Sequence, residues 1–171
     1  LPLFTMNADR IHLLDRLWEF QRRGGFIHDD DIQACAEWLG LSRVEVEGVA
    51  SFYHFFHRKP AGALTIYLDN SIVAEHAGFA EIKTAFERAT GAKTGGVDPS
   101  GRFGLFTTPC IGLSDQQPAA LIQFQPFTHL TPEKVDRIVR ALRQGQTPVE
   151  LSDPVDPNKI LREAGGRPLV S

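Results

Sequence analysis

Apolar residues in the first third of the chain recur every three or four positions, the period of a helix with one buried face. From Asn7 the residues Ile11, Leu14, Leu17, Trp18 and Phe20 follow this spacing, with Asp9, Arg10, Asp15, Arg16 and Glu19 between them, until Gly24 and Gly25 stop the run. A second helix is predicted from about Asp29 to Leu39, because Asp29, Asp30 and Asp31 suit the free amides and positive dipole of a helix start. Gly40 ends it. Ser42-Arg-Val-Glu45 then has capping-box spacing and predicts a third helix from Ser42 to about His57. Pro60 and Gly62 close this helical unit, which is assigned residues 1–59.

After Pro60 the pattern changes to that of strands alternating with helices. Leu64-Thr-Ile-Tyr-Leu68 reads as a short β-branched and aromatic strand, and Ala74 to Thr90 as a helix burying Phe79, Ile82 and Phe86. Asp98-Pro-Ser-Gly101 is turn chemistry before a strand at Arg102 to Thr107. Another strand is expected at Ala119 to Gln125, and these last two are expected to pair. Thr131-Pro132 starts a helix whose Val135, Ile138, Val139 and Leu142 line one face before Gly145. Residues 60–145 therefore read as an α/β unit. The remainder, 146–171, holds four prolines and the pair Gly165-Gly166, and reads as a linker or docking tail with one turn near Lys159 to Glu163. No internal repeat is visible.

At 171 residues, 42% hydrophobic and 23% charged, the chain has enough apolar material for one or two small domains. A net charge of -3 with scattered Lys and Arg leaves no footprint for nucleic acid. No apolar run reaches the length of a membrane span, and Leu1-Pro-Leu-Phe-Thr lacks the regions of a signal peptide. The two cysteines, Cys35 and Cys110, stand in unlike settings and imply no disulfide framework, so a reducing cytoplasm is the expected location. The absence of an initial Met marks the chain as an expected piece of something longer.

Two stretches carry candidate chemistry. Phe103-Gly-Leu-Phe-Thr-Thr-Pro-Cys110-Ile-Gly-Leu-Ser114-Asp-Gln-Gln-Pro118 looks like an iron-sulfur loop with one cysteine left, and Thr65 to Gly78 has the shape of its matching half. Together with Leu41 to Pro60, which contains Ser51-Phe-Tyr-His-Phe-Phe56, these segments resemble the thioredoxin-like 2Fe-2S ferredoxin family, the E subunit of NADH:quinone oxidoreductase and its relatives. The resemblance runs from about Ile11 to Gly145. Within the family the wording is most similar to the N-terminal part of the diaphorase flavoprotein subunits of soluble NAD-reducing hydrogenases.

That resemblance implies an α+β fold, an N-terminal helical bundle followed by a thioredoxin-like α/β domain. It places the four cluster-ligand positions at Asp69, Ala74, Cys110 and Ser114, with four residues between the first two and three between the second two. Ala74 has no donor atom, and oxygen at Asp69 and Ser114 makes a poor site for iron, so no metal and no cofactor are expected in this segment. The implied role is a structural, non-catalytic part of a diaphorase module. FMN, NAD and iron-sulfur clusters would then belong to an adjoining or docked flavoprotein domain and to iron-sulfur and hydrogenase subunits. An alternative in the family is an electron-carrying 2Fe-2S subunit of an NADH dehydrogenase or an NAD-dependent formate dehydrogenase.

Outside the family, Cys110 raises the alternative of a thiol oxidoreductase, although it follows Pro109 in a loop with no resolving cysteine nearby. Cys35, between alanines in a helix, reads as a small packing residue. His54 and His57 are spaced to share a helix face, half of a zinc site that nothing else completes. Phe52, Tyr53, Phe55 and Phe56 are too dense for one helix face. They read either as packing onto the α/β unit or as a partner surface. Neither Gly95-Gly96 nor Gly165-Gly166 has the following helix of a nucleotide site, and no serine triad is apparent.

Overall fold

A computed structural model describes residues 8–109 and 111–154 of the chain. The turn expected at 159–163 lies outside the described residues. Three helices come first, α1 (Ala8–Gly24), α2 (Asp29–Leu39) and α3 (Arg43–Phe52). They bury Leu13, Leu17, Ile32, Cys35, Val46 and Ala50 together with Ile27 and Phe56. The predicted caps form: Ser42 accepts from the Glu45 amide at 3.2 Å while its own amide donates to the Glu45 carboxylate at 2.9 Å. At α2 the cap is His28, whose amide donates to Asp31 at 2.9 Å, and Gly40 ends the helix at φ 64°.

Helix α3 stops at Phe52, short of the expected His57, and Tyr53 is already extended. The reason is long-range. The side-chain amide of Gln21 donates to the Phe55 carbonyl at 2.7 Å and accepts from the His57 amide at 2.7 Å, and the His57 carbonyl accepts from Ile27 at 2.8 Å. These bonds replace the intrahelical ones and leave Phe56 free to enter the helical core.

A five-stranded mixed sheet follows, with β1 (Leu64–Asp69), β2 (Gly96–Val97), β3 (Phe103–Thr108), β4 (Ala120–Ile122) and β5 (Gln125–Phe127) in the order β2-β3-β1-β4-β5. Strands β1 and β3 run parallel, from Leu64 beside Phe103 to Asp69 beside Thr108. The expected pairing of the 102–107 and 119–125 strands does not occur: β4 lies on the other side of β1. Strand β1, with Ile66 to Asp69 buried, takes the centre of the sheet and separates them. The expected strand at 119–125 is instead a hairpin, turning at Gln123 and Phe124 with φ of 46° and 64°. The helix expected from Ala74 to Thr90 is broken at Gly78 (φ 102°) into α4 (Ile72–His76) and α5 (Phe79–Thr90).

The sheet is covered on both faces. On one, Ile66, Leu68, Phe103, Leu105, Ile122 and Phe127 pack against Ile82 and Phe86 of α5 and against α6 (Pro132–Arg143), which presents the predicted Val135, Ile138, Val139 and Leu142. On the other, Tyr67 and Phe106 meet the aromatic segment after α3. The segment expected as a tail begins as packed structure, since α7 (Pro148–Leu151) sets Leu151 against the sheet core and Asp153 accepts from Lys134 and from the Thr128 amide, each at 2.7 Å. This is the thioredoxin-like fold with helices at its N-terminus.

The chain between the two units crosses β3 at close range. A Cβ on Gly104 would stand 1.9 Å from the Ala61 carbonyl oxygen, and one on Gly62, at φ 82°, would stand 2.6 Å from the Gly104 amide. Gly48, inside α3, has open space above it. Urea unfolding should therefore show Gly104→Ala losing at least about 2 kcal/mol through forced displacement. Gly48→Ala should gain about 1 kcal/mol from helix propensity.

Candidate functional site

Because β1 and β3 are parallel neighbours, the loops leaving their carboxyl ends lie side by side, the usual place for a site in an α/β sheet. Asp69 ends β1 and is only 1% exposed. Its Oδ1 accepts from the Ser71 amide at 2.8 Å. Its Oδ2 accepts from the Ile111 amide at 3.3 Å and from Gln117 Nε2 at 2.7 Å. The oxygen of the Gln117 side chain accepts from the Ala119 amide at 2.9 Å, which fixes the orientation of the amide. Asn70 donates to the Thr108 carbonyl at 3.0 Å and adds a backbone tie between the same ends.

Ser71 caps α4 by accepting from the Ala74 amide at 3.3 Å, which turns Ala74 fully inward. Ser114 opens a short 3-10 turn, Ser114–Gln116, and is exposed. Cys110 lies outside the described residues. The structure thus brings Asp69 and Ala74 together in the first loop and sets Ser114 at the surface of the second. Gln117 carried no signal in the sequence, since a glutamine in a polar loop has no spacing that points to Asp69. Among the described residues no group of three or more His, Cys, Asp or Glu is placed to hold a metal.

The aromatic segment divides. Phe56 is buried and meets Trp18 at 5.0 Å between ring centres. Phe55 packs edge-on against Tyr67 at 5.1 Å and Phe124 at 5.3 Å. Phe52 and Tyr53 remain 74% and 42% exposed and touch each other. Val44, 80% exposed, lies two turns before Phe52 along α3, with Gly48 between them on the same face. Since α3 ends at Phe52, His54 and His57 share no helix face.

His57 instead faces the sheet. Its Nε2 and the Tyr67 hydroxyl are 2.5 Å apart, and its ring packs on Phe106 at 4.7 Å. Burial holds the imidazole below its ordinary pKa and pushes the Tyr67 phenol up to about 12. Beside this pair a cleft of about 550 Å³ opens between α1 and the sheet, lined by Trp18, Arg22, His57, Thr65, Gln123 and Phe124. Cys35 is buried in the helical core, and burial raises its thiol pKa, so it is a packing residue and not a nucleophile. Among the described residues no helix is long and apolar enough to cross a membrane.

A family model described as thioredoxin-like 2Fe-2S ferredoxin matches residues 4–143. The NAD-reducing hydrogenase HoxS subunit alpha of Cupriavidus necator is 46% identical over 148 residues, which is 86% of this chain and 25% of that protein. The E subunit of the NADH-quinone oxidoreductase of Escherichia coli is 35% identical over 119 residues, 70% of this chain and 72% of that one. A chain in the crystal structure of an air-oxidized NAD+-reducing NiFe-hydrogenase overlays with a TM-score of 0.72 at 25% identity, covering 88% of this chain and 27% of that chain. This chain therefore spans about a quarter of its hydrogenase relatives and most of the shorter oxidoreductase relative.

The family's description implies a 2Fe-2S cluster, which calls for four strongly donating ligands, ordinarily thiolates. The described residues do not fit it. Both oxygens of Asp69 already accept N–H bonds, Ala74 offers no donor atom, and Ser114 offers a neutral hydroxyl at the surface.

The His57 and Tyr67 pair generates a prediction about pH. The folded chain holds His57 below its ordinary 6.5, so the unfolded chain binds the proton first as pH falls. Stability contributed by neutral His57 is complete above pH 6.5 and is lost as pH falls through the lower folded value. Thermal melts should show Tm declining on acidification below pH 6.5 in the natural chain, and His57→Phe, which keeps the ring packing, should flatten that slope.

Proposed function

The chain belongs to the thioredoxin-like 2Fe-2S ferredoxin family, and we propose that it is a cluster-free structural domain of the diaphorase module in a cytoplasmic NAD-reducing hydrogenase. The observation that carries the reading is the 46% identity to HoxS subunit alpha across 86% of this chain, higher and longer than the 35% identity over 70% with the NADH-quinone oxidoreductase relative. In this role the flavoprotein portion of the module binds FMN and NAD, and iron-sulfur clusters sit there and in partner subunits. This domain braces that portion and holds no electron itself, since a carrier needs a redox centre.

The commitment of both Asp69 oxygens and the inert side chain of Ala74 support the cluster-free half of the proposal. The face of α3 formed by Val44, Gly48 and Phe52, with Tyr53 beside it, supports docking, because an exposed apolar strip with a glycine at its middle admits a partner at close range. Phe55 and Phe56 act behind it, seating the strip on the sheet and in the helical core.

Two measurements test this role. In the assembled complex Cys110→Ser should keep NADH-dependent dye reduction within about twofold of the natural rate, whereas a carrier holding iron through Cys110, or a thiol oxidoreductase using it, should lose most of its activity. Combined Phe52→Ala and Tyr53→Ala should weaken binding to the flavoprotein portion about tenfold or more while leaving the melting of the isolated chain nearly unchanged. Parallel losses in both assays would assign these rings to core packing.

A further inference from the structure

We infer that the Asp69 carboxylate does in hydrogen bonds what a metal cluster does in metal-ligand bonds: it clamps the two loops at the end of the central parallel strands into one fixed arrangement. The inference rests on the cluster-free reading above and identifies what holds the loops under it. Asp69 stands at the first ligand position, yet its oxygens point at N–H donors. Those donors come from three separate places, the Ser71 amide at 2.8 Å in the first loop, the Ile111 amide at 3.3 Å early in the second, and Gln117 Nε2 at 2.7 Å near its end. The last two contacts span 42 and 48 residues of sequence.

An acceptor-only group is what this arrangement requires. A carboxylate presents two oxygens with about four lone-pair sites and no hydrogen. Three donors aimed at one buried charge compensate its removal from water, and bonds to an ionised acceptor are roughly twice as strong as neutral ones. A carboxamide of the same shape cannot substitute. In one orientation its NH2 meets the Ser71 amide, and in the other it meets Ile111 and Gln117. A lone pair turned toward a metal would likewise have to give up an N–H bond already made. The sheet itself is independent of the clamp, because β1 and β3 are paired along their whole length upstream of Asp69.

The full chain, purified without oxygen, tests this by amide hydrogen exchange together with iron content in three forms: natural, Asp69→Asn and Gln117→Met. In Asp69→Asn, exchange should accelerate by about tenfold or more at Ser71 or at Ile111, whichever amide the new NH2 group faces, the worth of one lost bond to a charged group. Exchange at Ile66 and Leu105, in the middle of the strands, should stay as in the natural chain. Gln117→Met, which keeps the carboxylate and removes one donor, should speed Ile111 by less and leave Ser71 unchanged. It also carries the test if Asp69→Asn fails to fold. Unchanged exchange at both Ser71 and Ile111 in the iron-free variants would overturn the clamp and leave the cluster-free reading standing. Two irons per natural chain would overturn that reading, and their loss in Asp69→Asn would make Asp69 a ligand in place of a clamp.

Discussion

Strand β1 carries large apolar side chains on both faces, and the layers of the molecule follow from covering them. Ile66 and Leu68 face α5 and α6, while Tyr67 faces the other way, toward Phe55, His57 and Phe106. Burying each such side chain is worth about 1.5–3 kcal/mol, so neither face can be left to water without a large loss. A sheet apolar on both sides needs a layer on each. The second layer here is built from the chain between α3 and β1, which is why α3 must end early and give its backbone groups to Gln21 and Ile27. Glycines at 62 and 104 let that chain lie directly on β3.

The same central strand delivers the site. Parallel pairing with β3 sets Asp69 beside Thr108 and brings two loops, distant in sequence, within reach of one carboxylate. A cluster in that position would tie the loops only while iron, sulfide and the right redox state were supplied. Hydrogen bonds from Ser71, Ile111 and Gln117 tie them with the polypeptide alone. Under the proposed bracing role, that independence would keep the shape offered to a partner constant. Among the described residues no polar side-chain atom is buried without a partner, Asp69 included.

Features with local causes were readable from the chain. The caps at Ser42 and Thr131, the glycine stop at Gly40 and the apolar stripe of α6 each depend on residues within one or two turns, and each appears where the pattern predicts. Features with distant causes were not. Nothing near His57 announces that a glutamine in α1 will take its amide, and nothing in the strands states that β1 will come between β3 and β4. The hairpin at Gln123 and Phe124 lacks the Asn-Gly signal of such turns; Phe124 packs edge-on against Trp18 and Phe55 and stacks on Tyr67, all distant in sequence. The capping box Thr147-Pro-Val-Glu150 starts α7 within the stretch whose prolines read as a tail. At the site, the resemblance assigns the four positions, and the chemistry of the residues at them argues against a metal. The use of Asp69 as a hydrogen-bond acceptor depends on Gln117 and Ile111, which only the fold brings near.

Under the proposed reading the two loops are joined by a carboxylate and not by iron. Diffraction from crystals of the anaerobically purified chain, with data collected on both sides of the iron absorption edge, tests it directly. No anomalous peak is expected between the loop after β1 and the loop after β3, with Asp69 within hydrogen-bond distance of the Ser71 and Ile111 amides and Gln117. Two iron peaks between those loops, with Asp69 turned toward them, would contradict it.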